Sequence, residues 1–261
     1  MKKFILKEKA QQKRSKVLWK FGIGGTNLKQ KARQGDAEAQ YNLGKSYANG
    51  KGVRKDKSEA IKWYRKSAEQ GFVEAQFVLA SCYYFGDYIG IDIQEAIKWW
   101  RKSAEQGHFE AQFILGVFYF NGNYVMMDQQ EAVKWWRKSA EQGHVEAQCM
   151  LAGCYSKGKG IDRNQQEAVR WWRKSAEQGY FDAQYNLGIC YLRGDGVDKD
   201  EKEAIKWLRK VTEQRNLEPQ YMIGEFMRNR LSEIENSHNK ETVKDKSIFE
   251  IVINKIKSLF K

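Results

Sequence analysis

A nine-residue phrase recurs along the chain at a fixed step of 36 residues. Trp63-Tyr64-Arg65-Lys66-Ser67-Ala68-Glu69-Gln70-Gly71 returns as Trp99 to Gly107, Trp135 to Gly143 and Trp171 to Gly179, and more loosely from Trp207 to Gln214. A second phrase keeps the same step, with Gln40, Gln76, Gln112, Gln148, Gln184 and Gln220 as its constant column. Self-similarity at a period of roughly 20–50 residues marks a solenoid, in which each unit buries its apolar face against its neighbours. That constraint outranks length, although 261 residues would otherwise suggest one or two ordinary globular domains.

The first complete unit runs from Asp36 to Gly71. Ala39, Leu43 and Tyr47 recur at helical spacing and predict one buried helix face. Gly50-Lys51-Gly52-Val53 predicts a turn, since glycine adopts positive φ at no steric cost. Asp56 or Ser58 is placed to cap a second helix, in which Ala60, Ile61, Tyr64 and Ala68 form the buried stripe with Trp63 beside it. Gly71 then closes the unit as a left-handed cap. Two helices of about 13 residues with short turns make an antiparallel hairpin. A single Pro in the chain agrees with helices throughout. Small residues hold register too: Gly44, Ala80, Gly116, Ala152, Gly188 and Gly224 share one column, letting helices approach closely while Trp and Tyr fill the space.

These residues carry a family likeness. The pattern Ala39, Leu43-Gly44, Tyr47, Gly50, Gly52-Val53 and Asp56, then Ala60, Trp63-Tyr64, Lys66-Ser67-Ala68 and Gly71, resembles the Sel-1-like repeat, a longer relative of the tetratricopeptide repeat. The resemblance spans about residues 28–228 and implies an all-α, right-handed α-solenoid of antiparallel helix pairs. It also implies an adaptor or scaffold role in protein complexes, often in bacterial signalling or host interaction. Cysteine-rich relatives described as β-lactamases carry a cysteine pair in each repeat. This chain lacks that pairing, so the activity is not carried over.

The expected organisation follows from where the repeat begins and fails. Residues 1–25 form a basic N-terminal arm and 26–35 a capping half repeat, its short helix starting at Thr26-Asn27 after a glycine hinge at Gly22, Gly24 and Gly25. Residues 36–215 hold five repeats, and 216–230 the first helix of a degenerate sixth. A polar linker at 231–245 precedes an amphipathic C-terminal capping helix at 246–261, where Ile248, Phe249, Val252, Ile253, Ile256, Leu259 and Phe260 share a face.

Charge follows the same division. The net charge of +13 resides mostly in residues 1–34, which hold eleven Lys/Arg and one Glu, whereas residues 35–228 are close to neutral. A nucleic-acid partner is therefore not expected of the repeat body. The chain lacks an apolar run long enough for a signal-peptide core or a bilayer span, so a cytoplasmic location is expected.

No residue set points to a reaction, and the chain is expected to be neither an enzyme nor a holder of cofactor or metal. Cys82, Cys154 and Cys190 share a column on successive helices, too far apart for disulfides, and read with Cys149 as small buried hydrophobes. His108 and His144 stand where first helices begin, without metal-ligand spacing. Glu38, Glu74, Glu110, Glu146 and Asp182 complement the dipoles of those helices and form a structural column.

The informative positions are those that vary among copied units. In repeats two and three the first-helix columns turn aromatic or apolar, with Phe77, Tyr84, Phe85, Phe113, Val117 and Phe120, and Tyr88 and Tyr124 replace the second turn glycine. These eight are the candidate residues for a groove on the concave surface that takes a peptide or partner protein. The bland alternative is that the aromatics only fill the interfaces between repeats. A second functional reading is a peripheral adaptor whose arm meets anionic membrane or nucleic acid through Lys2, Lys3, Lys7, Lys9, Lys13, Arg14, Lys16 and Lys20. The chain is expected to be a monomer.

Overall fold

A computed structural model of the chain describes residues 23–87 and 89–215. Among the described residues the structure is all helical: α1 (Ile23–Arg33), α2 (Ala37–Asn49), α3 (Lys57–Glu69), α4 (Val73–Phe85), α5 (Ile93–Glu105), α6 (Phe109–Asn121), α7 (Gln129–Glu141), α8 (Val145–Lys157), α9 (Gln165–Glu177), α10 (Phe181–Arg193) and α11 (Glu201–Arg215). Within each compact unit, helices adjacent in sequence pack against each other, and the fold is an all-α solenoid of helix pairs. The described residues fall into two compact units, one reaching to Asn164 and one starting at Gln165.

In the first unit each repeat is a hairpin of two 13-residue helices, α2–α3, α4–α5 and α6–α7, with α8 opening the next. Leu43, Leu79, Leu115 and Leu151 are buried at the same point of every first helix. Each such leucine contributes roughly 1.5–3 kcal/mol relative to exposure. The small column works as expected: a Cβ added to Gly44 would lie 2.7 Å from the Tyr64 ring, and one on Gly116 would lie 2.4 Å from the Trp136 indole. Second helices start on carboxylate caps. Asp56, Asp92 and Asp128 accept from the backbone N–H groups of Glu59, Glu95 and Glu131 at 3.0, 3.0 and 2.9 Å. They end at Gly71, Gly107 and Gly143, all at positive φ, where the chain turns into the next repeat.

Buried amides then tie the repeats together. Gln76 Nε2 donates to the Ala68 carbonyl of the preceding repeat at 3.2 Å, while its Oε1 accepts from Gln106 of its own repeat at 2.8 Å. Gln40, Gln112 and Gln148 donate in the same way to Ala32, Ala104 and Ala140. The fully buried Ser67, Ser103 and Ser139 donate to the carbonyls of Ala37, Val73 and Phe109, pinning second helix to first. Arg65, Arg101 and Arg137 donate to the hydroxyls of Tyr83, Tyr119 and Tyr155 in the following repeat.

The second unit repeats these devices within itself. Gln184 donates to the Ala176 carbonyl at 3.2 Å, Arg173 to the Tyr191 hydroxyl at 2.7 Å, and Asp200 caps α11. Leu187, Leu208 and Val211 are buried there.

One boundary differs from expectation. Helix α1 opens at Ile23, so Gly24 and Gly25 lie inside it and do not form a hinge. Glycine costs about 1 kcal/mol relative to alanine in a helix, which disfavours that state without forbidding it. The helix is held by Ala32 and Leu28 packing on Ala39 and Leu43. The arm up to residue 22, the degenerate sixth repeat, the polar linker and the C-terminal amphipathic segment lie outside the described residues.

Candidate functional site

The structure separates the candidate groove residues into two groups. Phe77, Tyr84, Phe113, Val117 and Phe120 are half-buried. Phe77 stacks on His108 of the next repeat with ring centres 4.3 Å apart, and Phe113 lies 4.8 Å from His144. Tyr84 packs on Trp100 at 5.3 Å and Phe120 on Trp136 at 5.1 Å. These rings thus line the joints within and between repeats as well as offering one edge to solvent. Phe85 and Tyr124 are instead exposed, at 67 % and 56 %. Tyr88 and the arm residues Lys2 to Lys20 lie outside the described residues.

Three further apolar side chains stand exposed beside Tyr124 and Phe85, and sequence reasoning passed over them: Ile91 at 68 %, Met126 at 89 % and Met127 at 61 %. The signal was available in the 36-residue step. One turn column reads Lys55, Ile91, Met127, Arg163 and Lys199, charged in repeats one, four and five and apolar in two and three. The residue before it reads Arg54, Gly90, Met126, Asp162 and Asp198. Among the described residues every exposed large apolar side chain lies between Phe85 and Met127.

The backbone of this turn is also unusual. Tyr124 has φ +63°, the one positive value carried by a described residue other than glycine. The same column holds Gly52, Gly160 and Gly196 at φ +74°, +69° and +72°. At Gly160 a Cβ would come within 2.1 Å of the Gln129 carbonyl, so that turn accepts glycine only. The repeat-three turn carries a bulky ring there at a cost of order 1–3 kcal/mol. Its Tyr124 carbonyl accepts from Gln94 Nε2 at 3.2 Å, which ties the start of repeat two's second helix to this turn.

Electrostatics set this surface apart as well. Residues 86–97 contain Asp87, Asp92 and Glu95, and 122–133 contain Asp128 and Glu131, with no Lys or Arg in either stretch. The matching stretch of repeat one, 50–61, holds Lys51, Arg54, Lys55 and Lys57. Lys98 and Lys134 engage Glu95 and Glu131 one helical turn on.

Burial pushes the thiols of Cys82, Cys154 and Cys190 up to about 11, which keeps them protonated near neutrality. None of the four cysteines is in a disulfide, and all four are buried. Among the described residues no group of three His, Cys, Asp or Glu could hold a metal ion, and no helix is long and apolar enough to cross a membrane.

Comparison with known proteins agrees with this architecture. The family profile described as Sel1 repeat matches residues 37–72, 73–108, 109–144, 145–180 and 181–216. A protective antigen from uropathogenic Escherichia coli strains, described as displaying an SLR fold, is similar at 33 % identity with a TM-score of 0.72. That similarity covers 82 % of this chain and 49 % of the antigen, so the chain spans about half the antigen's length. A Sel1 repeat protein from Oxalobacter formigenes is similar at 33 % identity with a TM-score of 0.70, covering 77 % of this chain and 84 % of that one. No functionally curated protein matches the chain.

Proposed function

The chain belongs to the Sel1 repeat family, whose members are in general scaffolds for protein–protein contact, and from that premise we propose that it binds a partner protein or peptide non-covalently through repeats two and three. The observation that carries this reading is that, among the described residues, every exposed large apolar side chain lies in that stretch of an otherwise copied body. Exposed apolar clusters on a soluble scaffold favour covering, and aromatic side chains dominate binding energy where they are covered. The half-buried rings of Tyr84 and Phe120, held on Trp100 and Trp136, supply rigid edges beside the exposed turn. A chain carrying Tyr84→Ala, Phe120→Ala and Tyr124→Ala should keep its helical circular dichroism and lose most native-partner capture. Undiminished capture by a folded triple variant removes the assignment to these repeats.

The second reading, an anionic surface met by the basic arm, is supported by the concentration of Lys and Arg in residues 1–34.

A further inference from the structure

We propose that the paired turns of repeats two and three seat a cationic amphipathic segment of a partner protein, with large apolar side chains on one face and Lys or Arg flanking them. This rests on the scaffold reading above and specifies the chemistry of the partner. Three independent observations converge on it. The first is substitution by column: where Lys55, Arg163 and Lys199 keep other turns charged, Ile91 and Met127 make these two apolar. Ile91 and Met127 stand next to the turn's first glycine, Gly86 and Gly122, as Lys55, Arg163 and Lys199 stand next to theirs, so the whole column projects from the same place in the hairpin. Gln94 of repeat two ties the start of its second helix to the repeat-three turn by donating to the Tyr124 carbonyl.

The second is the strained Tyr124. Glycine fills that column in repeats one, four and five at the same φ, so a ring is held there against the backbone's preference. Such strain is retained where the side chain itself has a use.

The third is charge. Asp87, Asp92 and Asp128 belong to the same two turn stretches as the apolar side chains, and those two twelve-residue stretches carry no cation. Asp92 and Asp128 also cap α5 and α7 through one carboxylate oxygen, which fixes their position. Fixed carboxylates in apolar turns complement a segment with basic flanks, steering its approach and rejecting acidic competitors. Met126 and Met127 are unbranched and polarisable, and such side chains adapt to differing apolar faces. An anionic bilayer surface would be repelled by the same carboxylates.

The test uses the full chain and two synthetic, fluorescently labelled 18-residue peptides. Both place Leu and Phe at helical spacing, and they differ in carrying Lys or Glu at every other position. The variant is Ile91→Lys with Met127→Lys, which restores the charged column of the remaining repeats and leaves caps and buried residues untouched. By fluorescence anisotropy the Lys peptide should bind the native chain and weaken about ten-fold or more on the variant, the scale of losing central interface contacts. The Glu peptide should show no such loss and can only gain affinity from the two added lysines, so a loss confined to the Lys peptide is not a general effect of the substitutions on the fold or the basic arm. Equal affinity of the Lys peptide for both folded chains overturns the proposal. So does variant-sensitive sedimentation of the chain with phosphatidylserine vesicles in place of the peptide, which would make the turns a membrane contact. If native-partner capture still depends on Tyr84, Phe120 and Tyr124 in either case, the scaffold reading stands and only the partner's chemistry is wrong.

Discussion

His108 and His144 show how one position in a copied unit acquires a titration. Asp36 holds this column in repeat one, where its carboxylate accepts from the Ala39 N–H at 2.7 Å. In repeats three and four the imidazole Nδ1 does so instead, accepting from Ala111 and Ala147 at 3.4 and 3.2 Å. That role needs Nδ1 unprotonated. Burial lowers the pKa of both rings, against the pull of Glu110 and Glu74 on His108 and of Glu146 and Glu110 on His144. Because the folded pKa lies below the unfolded one, the stabilisation is present above about pH 6.5 and is lost as pH falls through the folded value. A protonated Nδ1 would turn to Glu110 or Glu146, whose carboxylates stand 3.1 and 3.6 Å away. The melting temperature should therefore fall between pH 7.5 and 5, and a His108→Asp, His144→Asp chain should lose most of that slope, as followed by circular dichroism. A slope identical in the two chains would mean that the rings do not titrate with folding. The columnar position of both residues was legible in the sequence. Their capping role was not, because histidine has little cap preference and only the placed N–H revealed it.

At the scale of the element, the helices are short and individually weak, and their stability comes from docking. Hence the small column matters more than any propensity. Gly116 faces the Trp136 indole so closely that a Cβ would have to displace it, while Trp136 itself donates to the Phe113 carbonyl at 3.2 Å. Gly116→Ala should raise helix propensity yet destabilise the fold by about 1–3 kcal/mol through overpacking, measured by urea denaturation. Ala80 fills the same column in repeat two and is fully buried there, so the effect is expected to be local to the Trp136 hairpin. The sequence showed that this column was small, and it showed the turns and caps, because short-range backbone chemistry writes them in Gly and Asp. The tie made by the Gln column escaped it. Gln76 bridges a carbonyl of the previous repeat and an amide of its own only after both have been folded into place.

For the molecule as a whole, charge and apolar exposure are sorted along the chain. The body is near neutral, the described apolar exposure sits in repeats two and three, and the basic excess sits in residues 1–34. Replacing Lys2, Lys3, Lys7, Lys9, Lys13, Arg14, Lys16 and Lys20 by Gln should abolish any sedimentation of the chain with phosphatidylserine vesicles and leave its melting temperature within a degree or two. Vesicle binding that survives this change, or that is insensitive to salt, would dismiss the arm as its cause. Amino-acid order by itself determined the helix pairs, their 36-residue step and the residues that face the core, because a repeated local pattern must satisfy the same docking surface five times. It left open which variable side chains are free. Tyr84 and Tyr124 read alike as aromatic departures from the copied pattern, yet one is half-buried on Trp100 and the other, touching Phe118 by a ring edge, is mostly exposed. Exposure depends on what neighbouring helices cover, and that is a property of their packing in three dimensions, which no spacing along the chain encodes.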